Sequence, residues 1–344
     1  MGVNISELLL KKEIEIASLR NRIIAVDAHL FLYQFLTTIR QRDGGLLMDS
    51  HGRVTSHLTG LFTRNAKLMQ QGLRLCYVFD GKSPELKMKE RQKRRQLKED
   101  ASVKYEEAKA KKDLDEMKKY AARTSKLSSD MIEEAKKLLA GMGIPVIVAP
   151  SEAEAQAAYI VKQGKAFASA SQDADSLMFG CPKLIRNLSF SGKRKKSNKL
   201  AYEAIKPEIV NLSDTLNSLG IDQEQLIALC MLVGTDFNNK GIKGIGPKKA
   251  VELVKKYGND FDNMFKDAKW DDNFEIPWNE VYYLIKKMPV SDDYFLNWDK
   301  VNRDKVYEIL VEEHDFSEER VNSTLDKISA EKEKQTQKDL GEFL

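Results

Sequence analysis

The stretch PVIVAPSEAEAQAAYIVKQGKAFASASQDADSLMFG, residues 145–180, constrains the fold of this chain more than any other. Apolar runs at 145–149 and 166–171 read as strands, and the Ala-rich amphipathic segment 152–162 between them reads as a helix. A βαβ unit makes its two strands parallel, and open parallel sheets collect ligands beyond the strands' carboxyl ends. Four carboxylates, Glu152, Glu154, Asp173 and Asp175, fall just past those ends. Packed carboxylates repel one another unless protonated or bridged by cations, and hard divalent ions such as Mg²⁺ suit them. A plainer reading stays open for two of the four. Ser151 to Glu154 is also an S-x-x-E capping box, and the helix dipole favours acids in a first turn.

Two earlier segments end in the same way. NRIIAVD, residues 21–27, reads as a buried strand closing on Asp27, and LRLCYVFD, residues 73–80, as another closing on Asp80 before Gly81. Helical patterns at 29–40 and 56–71 lie between them, separated by a loop at Gly44 and Gly45. One Asp after a strand is ordinary loop chemistry; the repeated ending is harder to dismiss. A helix at 128–143 leads into the βαβ unit, a further strand is expected at 183–188, and a helix at 222–233 runs into Asp236. The expected class is therefore α/β, a central mostly parallel sheet flanked by helices, with seven carboxylates able to converge on one edge.

Charge is unevenly spread. The formal net charge is +4, yet residues 82–127 hold 16 Lys and Arg against 9 Asp and Glu, which leaves the rest of the chain net acidic. This basic stretch is rich in strong helix formers and poor in apolar positions, so exposed helices are expected. A solvated charged helix is the usual meaning of such a run. Its origin beside Asp80 suits a polyanionic substrate delivered to a metal centre, and Lys87 and Arg94, seven apart on one helical face, can point back at a phosphate. A second grip is expected in GIKGIGPKKAVELVKKYG, residues 241–258, a helix-hairpin-helix pattern. Gly244 and Gly246 let the backbone approach a phosphate, the helix start at Pro247 presents N–H groups, and Lys248 and Lys249 add charge. Nothing in such a hairpin reads bases. The basic loop at 191–198 fits a solvated loop better than a phosphate contact.

No apolar run reaches membrane-spanning length and no secretory signal opens the chain, so no membrane partner is expected. Cys76, Cys181 and Cys230 are too few for a disulfide framework or a zinc site. The Met1-Gly2 start fits a myristoylation pattern without other support. Residues 259–330 are expected to be helical, with Trp270, Trp278 and Trp298 in the core.

Asp27, Asp80, Glu152, Glu154, Asp173, Asp175 and Asp236, with GIKGIGPKK behind them, resemble the flap endonucleases of the XPG-type structure-specific 5′-nuclease family. The resemblance takes in VFDGKSPELK at 78–87, APSEAEAQAA at 149–158, GTDF at 234–237 and FSEER at 316–320. It implies one nuclease unit over 1–330: an N-terminal region 1–127 with a helical arch at about 82–127, an internal region 128–258 with the hairpin at 234–258, and a helical region 259–330. It implies 5′-flap cleavage, with 5′–3′ exonuclease activity, at single-strand/double-strand junctions in replication, Okazaki fragment processing and repair. The seven carboxylates would hold two Mg²⁺ ions (Mn²⁺ substituting), Lys87 and Arg94 would clamp the scissile phosphate, and Tyr33 would stack on the neighbouring base. A monovalent cation such as K⁺ would sit at the hairpin. Arg40, Thr55, Arg64, Phe316 and Arg320 would shape a pocket for an unpaired 3′ nucleotide. In the tail 331–344, Gln337, Leu340, Phe343 and Leu344 resemble a peptide that docks on the sliding clamp, PCNA. A monomer is expected. Lacking a basic C-terminal extension, the chain looks archaeal and so cytoplasmic and nucleoid-associated (nuclear if eukaryotic). A PIN-type ribonuclease and a non-catalytic junction binder are the competing readings.

Overall fold

The computed structural model describes residues 2–111, 113, 116, 120, 124–188, 193–195 and 202–341, and within them the side chains of 89–91, 93, 94, 109, 193–195, 202–204 and 331–341 fall outside the description. Arg94, Phe343 and Leu344 therefore lie outside the described side chains, as do those of Gln337 and Leu340, and so does most of the loop 191–198.

Seven strands form one mixed sheet. They are β1 (Lys11–Glu13), β2 (Ile23–Asp27), β3 (Arg74–Phe79), β4 (Val146–Val148), β5 (Ala168–Ala170), β6 (Lys183–Arg186) and, after the separate pair β7 (Lys193–Lys195) and β8 (Tyr202–Ala204), β9 (Glu208–Asn211). Their order is β1-β9-β6-β5-β2-β3-β4, with β6 through β4 all parallel and β9 antiparallel to both β1 and β6. The expected parallel centre is present, with β2 in its middle. The antiparallel margin was not expected: β1 is three exposed charged residues, Lys-Lys-Glu, with no apolar alternation to betray it.

Period-two alternation splits the sheet's side chains between two layers. Ile24, Val26, Leu75, Tyr77 and Phe79 face α1 (Ala28–Thr38), α2 (Ser56–Gln70) and, later in the chain, α4 (Ser129–Gly141). Ala25, Cys76 and Val78 face α5 (Ala153–Lys162) instead, where small alanines let the helix lie close. Between these helices runs α3 (Leu86–Ala110), the first part of the basic stretch. A third apolar cluster joins α6 (Asp175–Met178), α7 (Leu212–Leu219), α8 (Gln223–Val233), α9 (Pro247–Tyr257), α10 (Phe261–Asp267), α11 (Trp270–Asn273) and α12 (Trp278–Lys286) to Val3, Ile5 and Leu9.

Residues 259–330 are not helical throughout. The segment 289–302 has no helix and packs Tyr294, Leu296 and Trp298, alternate residues, against the α5 layer. Trp298 Nε1 donates to the Leu75 carbonyl at 2.8 Å, and the Gln156 amide exchanges two bonds with Ser291. Pro289 bars a continuing helix, and an extended strap that buries every second side chain takes its place. Beyond α13 (Arg303–Tyr307), α14 runs from Glu318 to Gly341. The tail expected from 331 thus continues that helix to 341, as its Glu, Lys and Gln content allows. No helix among the described residues is long and apolar enough to cross a membrane.

Candidate active site

Four of the five parallel strands, β2 to β5, lead into carboxylates just past their ends. Asp27, the last residue of β2, caps α1, its Oδ1 accepting from the Leu30 amide at 3.1 Å. Asp80 follows β3 and reaches across to the start of α5, its Oδ1 accepting from the Ala153 amide at 2.8 Å. Between them lies Gly81, where a Cβ would fall 1.9 Å from the Ala149 carbonyl, so no other residue fits. Glu152 is the N-cap of α5 and makes no side-chain cap bond. Ser151 gives its hydroxyl to the Lys82 carbonyl instead, so the capping-box explanation of these acids fails. Glu154 Oε1 accepts from Ser171 Oγ at 3.2 Å, and that same hydroxyl receives the Asp173 amide.

The N-terminal segment closes the site from the side. The Gly2 amide donates to Asp173 Oδ2 at 2.9 Å and the Val3 amide to Asp175 Oδ1 at 2.6 Å. A Cβ on Gly2 would stand 2.5 Å from Asp175 Oδ1, which accounts for that glycine without lipidation. Asp236 follows α8 in a tight knot: Thr235 Oγ1 donates to Asn238 Oδ1, and Asn238 Nδ2 ties to the Met231 carbonyl. Lys87, one residue into α3, reaches into this group, its Nζ bonded to Glu152 Oε2 and 3.3 Å from Asp236 Oδ2.

Burial and like charge dominate the electrostatics. Asp27 is pushed up to about 8, first by burial and then by Asp80, and Asp175 to about 7, by burial and then by Asp173. Glu154 rises well above the carboxylate range through burial and the charges of Asp175, Asp27 and Asp173. Glu152 is raised by burial in spite of Lys87. Burial would lower Lys87, but Glu152 and Asp236 outweigh it and hold the ammonium charged. All seven carboxylates appear in this web of mutual interaction. Among the described residues no three His, Cys, Asp or Glu side chains are already drawn to metal-ligand spacing. An excess of buried negative charge is what divalent cations neutralise. By donor chemistry the set fits such ions.

Three neighbours escaped the sequence reading. His29 Nδ1 accepts the Asp80 amide at 3.2 Å, Ser171 bridges Glu154 and Asp173, and Asn238 braces the turn of Asp236. Each lies within two residues of a carboxylate, the one signal that could have found them.

The residues proposed to contact DNA sit on several separate elements. Lys98 Nζ sits 4.4 Å from the Tyr33 ring centroid and donates to its hydroxyl at 2.9 Å. In the hairpin, Gly244 takes φ +83° with open space about it, and Gly246 caps α9 with Pro247 at its first turn; Lys248 and Lys249 follow, both exposed. Arg40 donates to the Gly44 carbonyl and to Ser125, while its Nε is buried without a partner. Thr55 and Arg64 lie at the start and in the body of α2; Phe316 packs into the layer that α2 helps to build, and Arg320 is exposed on α14.

Residues 1–101 match the XPG N-terminal domain and residues 143–236 the XPG I-region. Flap endonuclease 1 of Staphylothermus marinus is 51% identical over 332 residues, covering 95% of this chain and 94% of its own length. The chain belongs to the flap endonuclease family. The family relative from Pyrococcus abyssi is also 51% identical, over 95% of this chain and 94% of its own length. Among solved structures, flap endonuclease-1 from Methanococcus jannaschii superposes with a TM-score of 0.75 at 36% identity, covering 96% of this chain and 98% of that one. The catalytic core of Rad2 in complex with DNA substrate gives 0.66 at 26%, over 94% and 97%. Family membership over so much of the chain sets aside the PIN-type and non-catalytic readings. The activity is that of a structure-specific flap endonuclease of archaeal type, a hydrolase of nucleic-acid phosphodiesters.

Proposed function

We propose that the chain cuts 5′ flaps in DNA at the junction of single and double strand, with a weaker 5′–3′ exonuclease activity, in replication and repair. The observation that carries this reading is the gathering of seven carboxylates, from residue 27 to residue 236, around the Lys87 ammonium at one sheet edge. Asp27, Asp80, Glu152, Glu154, Asp173, Asp175 and Asp236 would hold two Mg²⁺ ions, or Mn²⁺. Such ions supply an activated water and charge for the leaving oxygen. The chain's own residues do the rest. Lys87, at the base of α3, turns its ammonium from Glu152 and Asp236 toward the scissile phosphate, and Arg94, one face further along the helix, joins it where negative charge grows. Tyr33, steadied by Lys98, offers its ring to the base beside the cut. Residues 82–127 act as the arch over the single strand within a single nuclease unit, 1–330.

The hairpin around Gly244 and Gly246, with Lys248 and Lys249, grips the duplex backbone and takes a K⁺ ion there. Arg40, Thr55, Arg64, Phe316 and Arg320 take an unpaired 3′ nucleotide; the buried, unpartnered Nε of Arg40 supports a polar ligand at that place. The enzyme is read as a monomer in the cytoplasm. End-labelled 5′-flap DNA, single-stranded DNA and an RNA hairpin, each with and without Mg²⁺, test the reading. Junction-specific cutting of the flap with Mg²⁺ alone is expected, and preferential cutting of the RNA would overturn it.

Gln337, Leu340, Phe343 and Leu344 are proposed as the peptide that docks on the sliding clamp. Leu340 and Phe343 are three apart in sequence, a spacing that would bring them to one face if a helical turn formed on the clamp, and tethering raises local concentration without altering the active site. Deleting residues 337–344 is expected to abolish clamp binding in calorimetry and leave clamp-free flap cleavage at the parental rate. Undiminished clamp affinity would rule the tail out.

A further inference from the structure

Apart from the seven carboxylates, a second set of charged groups gathers around two buried histidines. His57 on α2 and His314, just before α14, both have side chains with 0% exposure. His314 Nδ1 lies 3.0 Å from Asp49 Oδ2, and its Nε2 lies 3.5 Å from Glu134 Oε1 on α4. The other oxygen of Glu134 is 3.2 Å from His57 Nε2. Asp49 sits at the tip of a small hairpin closed by the Met48–Val54 bridge, and its side chain also takes the His51 and Arg53 amides and Arg53 Nε. The next residue on each side repeats the tie: the Ser50 amide donates to Asp315 Oδ2. Three separate parts of the chain thus meet at His314: the hairpin tip, α4, and the entry to α14.

The ring's protonation follows from what faces it. Ionised carboxylates only accept hydrogen bonds, and both ring nitrogens of His314 face one: Nδ1 is hydrogen-bonded to Asp49, while Nε2 stands in a 3.5 Å charge contact with Glu134 that makes no hydrogen bond. An imidazolium is the form that turns no lone pair toward either carboxylate. A neutral ring would turn a lone pair toward Asp49 or Glu134 from a ring that is itself buried, where such opposition is costly. The charged groups acting on it are Asp49 and Arg53 from the hairpin and Glu134 from α4; His57 on α2 shares Glu134, and His51 and Asp315 lie beside Asp49. The contact with Glu134 raises His314, burial lowers it, and Asp49 raises it again, for a net rise. Burial would raise Glu134, but His314 and His57 outweigh it and hold it at about 2. Burial likewise acts against Asp49, yet the Arg53 amide and His314 bring it well below the carboxylate range.

We propose that His314 is a positioning residue for the 3′ side of the branched substrate: as an imidazolium it latches the hairpin 46–55 and the start of α14 onto α4, and its deprotonation loosens that surface. The hairpin ends in Thr55, and Phe316 lies two residues beyond the latch, so both sides of the proposed 3′-nucleotide pocket hang from it. The inference rests on that pocket reading. It adds a sign. His314, raised in the folded protein, contributes below its unfolded value and stops contributing as pH rises through its folded one. The lowered Asp49 and Glu134 contribute above their unfolded values and fail only in strong acid. The latch therefore holds in weak acid and slackens as pH rises through the raised value of His314.

The test compares two 5′-flap substrates, with and without an unpaired 3′ nucleotide, from about pH 6 to about pH 9. For the parent the KM advantage of the first substrate is expected to shrink as pH rises, with kcat following the same profile on both. His314→Gln, which offers a donor to only one carboxylate, should lose that advantage by about tenfold at the lower pH, with no further pH dependence and the same kcat. Should that variant not fold, Asp49→Asn, which keeps the size and loses the charge, carries the same expectation. A ring titration by NMR on the parent should place the His314 midpoint above about 6.5. A folded variant with the parent's KM ratio and pH profile, or a midpoint at or below that value, overturns the latch. A parent that cuts both substrates with no preference at any pH overturns it together with the pocket. Failure to cut either flap would instead sink the flap-cleavage reading itself.

Discussion

Asp175→Ala is expected to abolish flap cleavage, lowering the single-turnover rate by at least about a thousandfold, some 4 kcal/mol of transition-state stabilisation. Binding of the same flap should stay within about tenfold of the parent, because removing one anion from a site that receives a polyanion costs no attraction. Asp175 also holds the Val3 amide, so the alanine variant loses a structural bond with the charge. Asp175→Asn separates the two, since its amide oxygen still accepts from Val3 while the negative charge is gone. Both variants should be equally inert. Asp80→Ala is expected to behave like them despite giving up a different bond, to the Ala153 amide. Rates near the parent's in Asp175→Asn would remove the metal-ligand role from this carboxylate.

The second large effect concerns the metal-free protein. Asp27 and Asp175 have folded values near 8 and 7 against 3.8 for the free side chain, and Glu154 is raised as well. A folded state that binds more protons than the unfolded one loses stability as pH rises. The stability tied to these groups is therefore present near pH 4 and drains away by about pH 8. At pH 8 without divalent ions, Asp27→Asn should gain on the order of 2 kcal/mol, about 3 °C in Tm for a chain of this size, over the parent. Saturating Mg²⁺ should raise the parent's Tm more at pH 8 than at pH 5, because the cation then neutralises charge that protons neutralise in acid. His314 pulls the same way with pH, but it is untouched by the Asn substitution, so the difference between the two proteins isolates Asp27. Identical metal-free melting curves at pH 8 would show that the carboxylates do not strain the fold.

How far the chain could be read beforehand depended on whether a residue's partner lay nearby in sequence. The strands 21–27, 73–80 and 145–149 declared themselves through apolar runs, and their acidic endings placed the site on one edge. β1 and β9 did not, because Lys11–Glu13 is held to Glu208–Asn211 by backbone pairing alone, which leaves no mark on side-chain pattern. The strap 289–302 was misjudged because its period-two burial, through Tyr294, Leu296 and Trp298, is short and follows a long helical region. Carboxylates were legible as a set; what each one leans on was not. That Asp173 rests on Gly2, some 170 residues away, and that Lys87 points at Glu152 and Asp236 rather than outward, follow only from the assembled chain. The latch at His314 joins positions 49, 57, 134 and 314, a spacing that no local pattern contains.

The wide separation in sequence of the seven clustered carboxylates bears on synthesis as well as on chemistry. Asp27 belongs to the first strand of the parallel core and Asp236 to a turn over two hundred residues later, and each shares the site with acids contributed in between. A chain still on the ribosome, or one cleaved by a protease before that turn, holds only part of the set. Contacts so distant in sequence cost loop-closure entropy before they form, which slows folding. On the proposed reading, the metal site therefore comes into being with the assembled fold and is lost with any fragment that lacks one of its strands or the Asp236 turn.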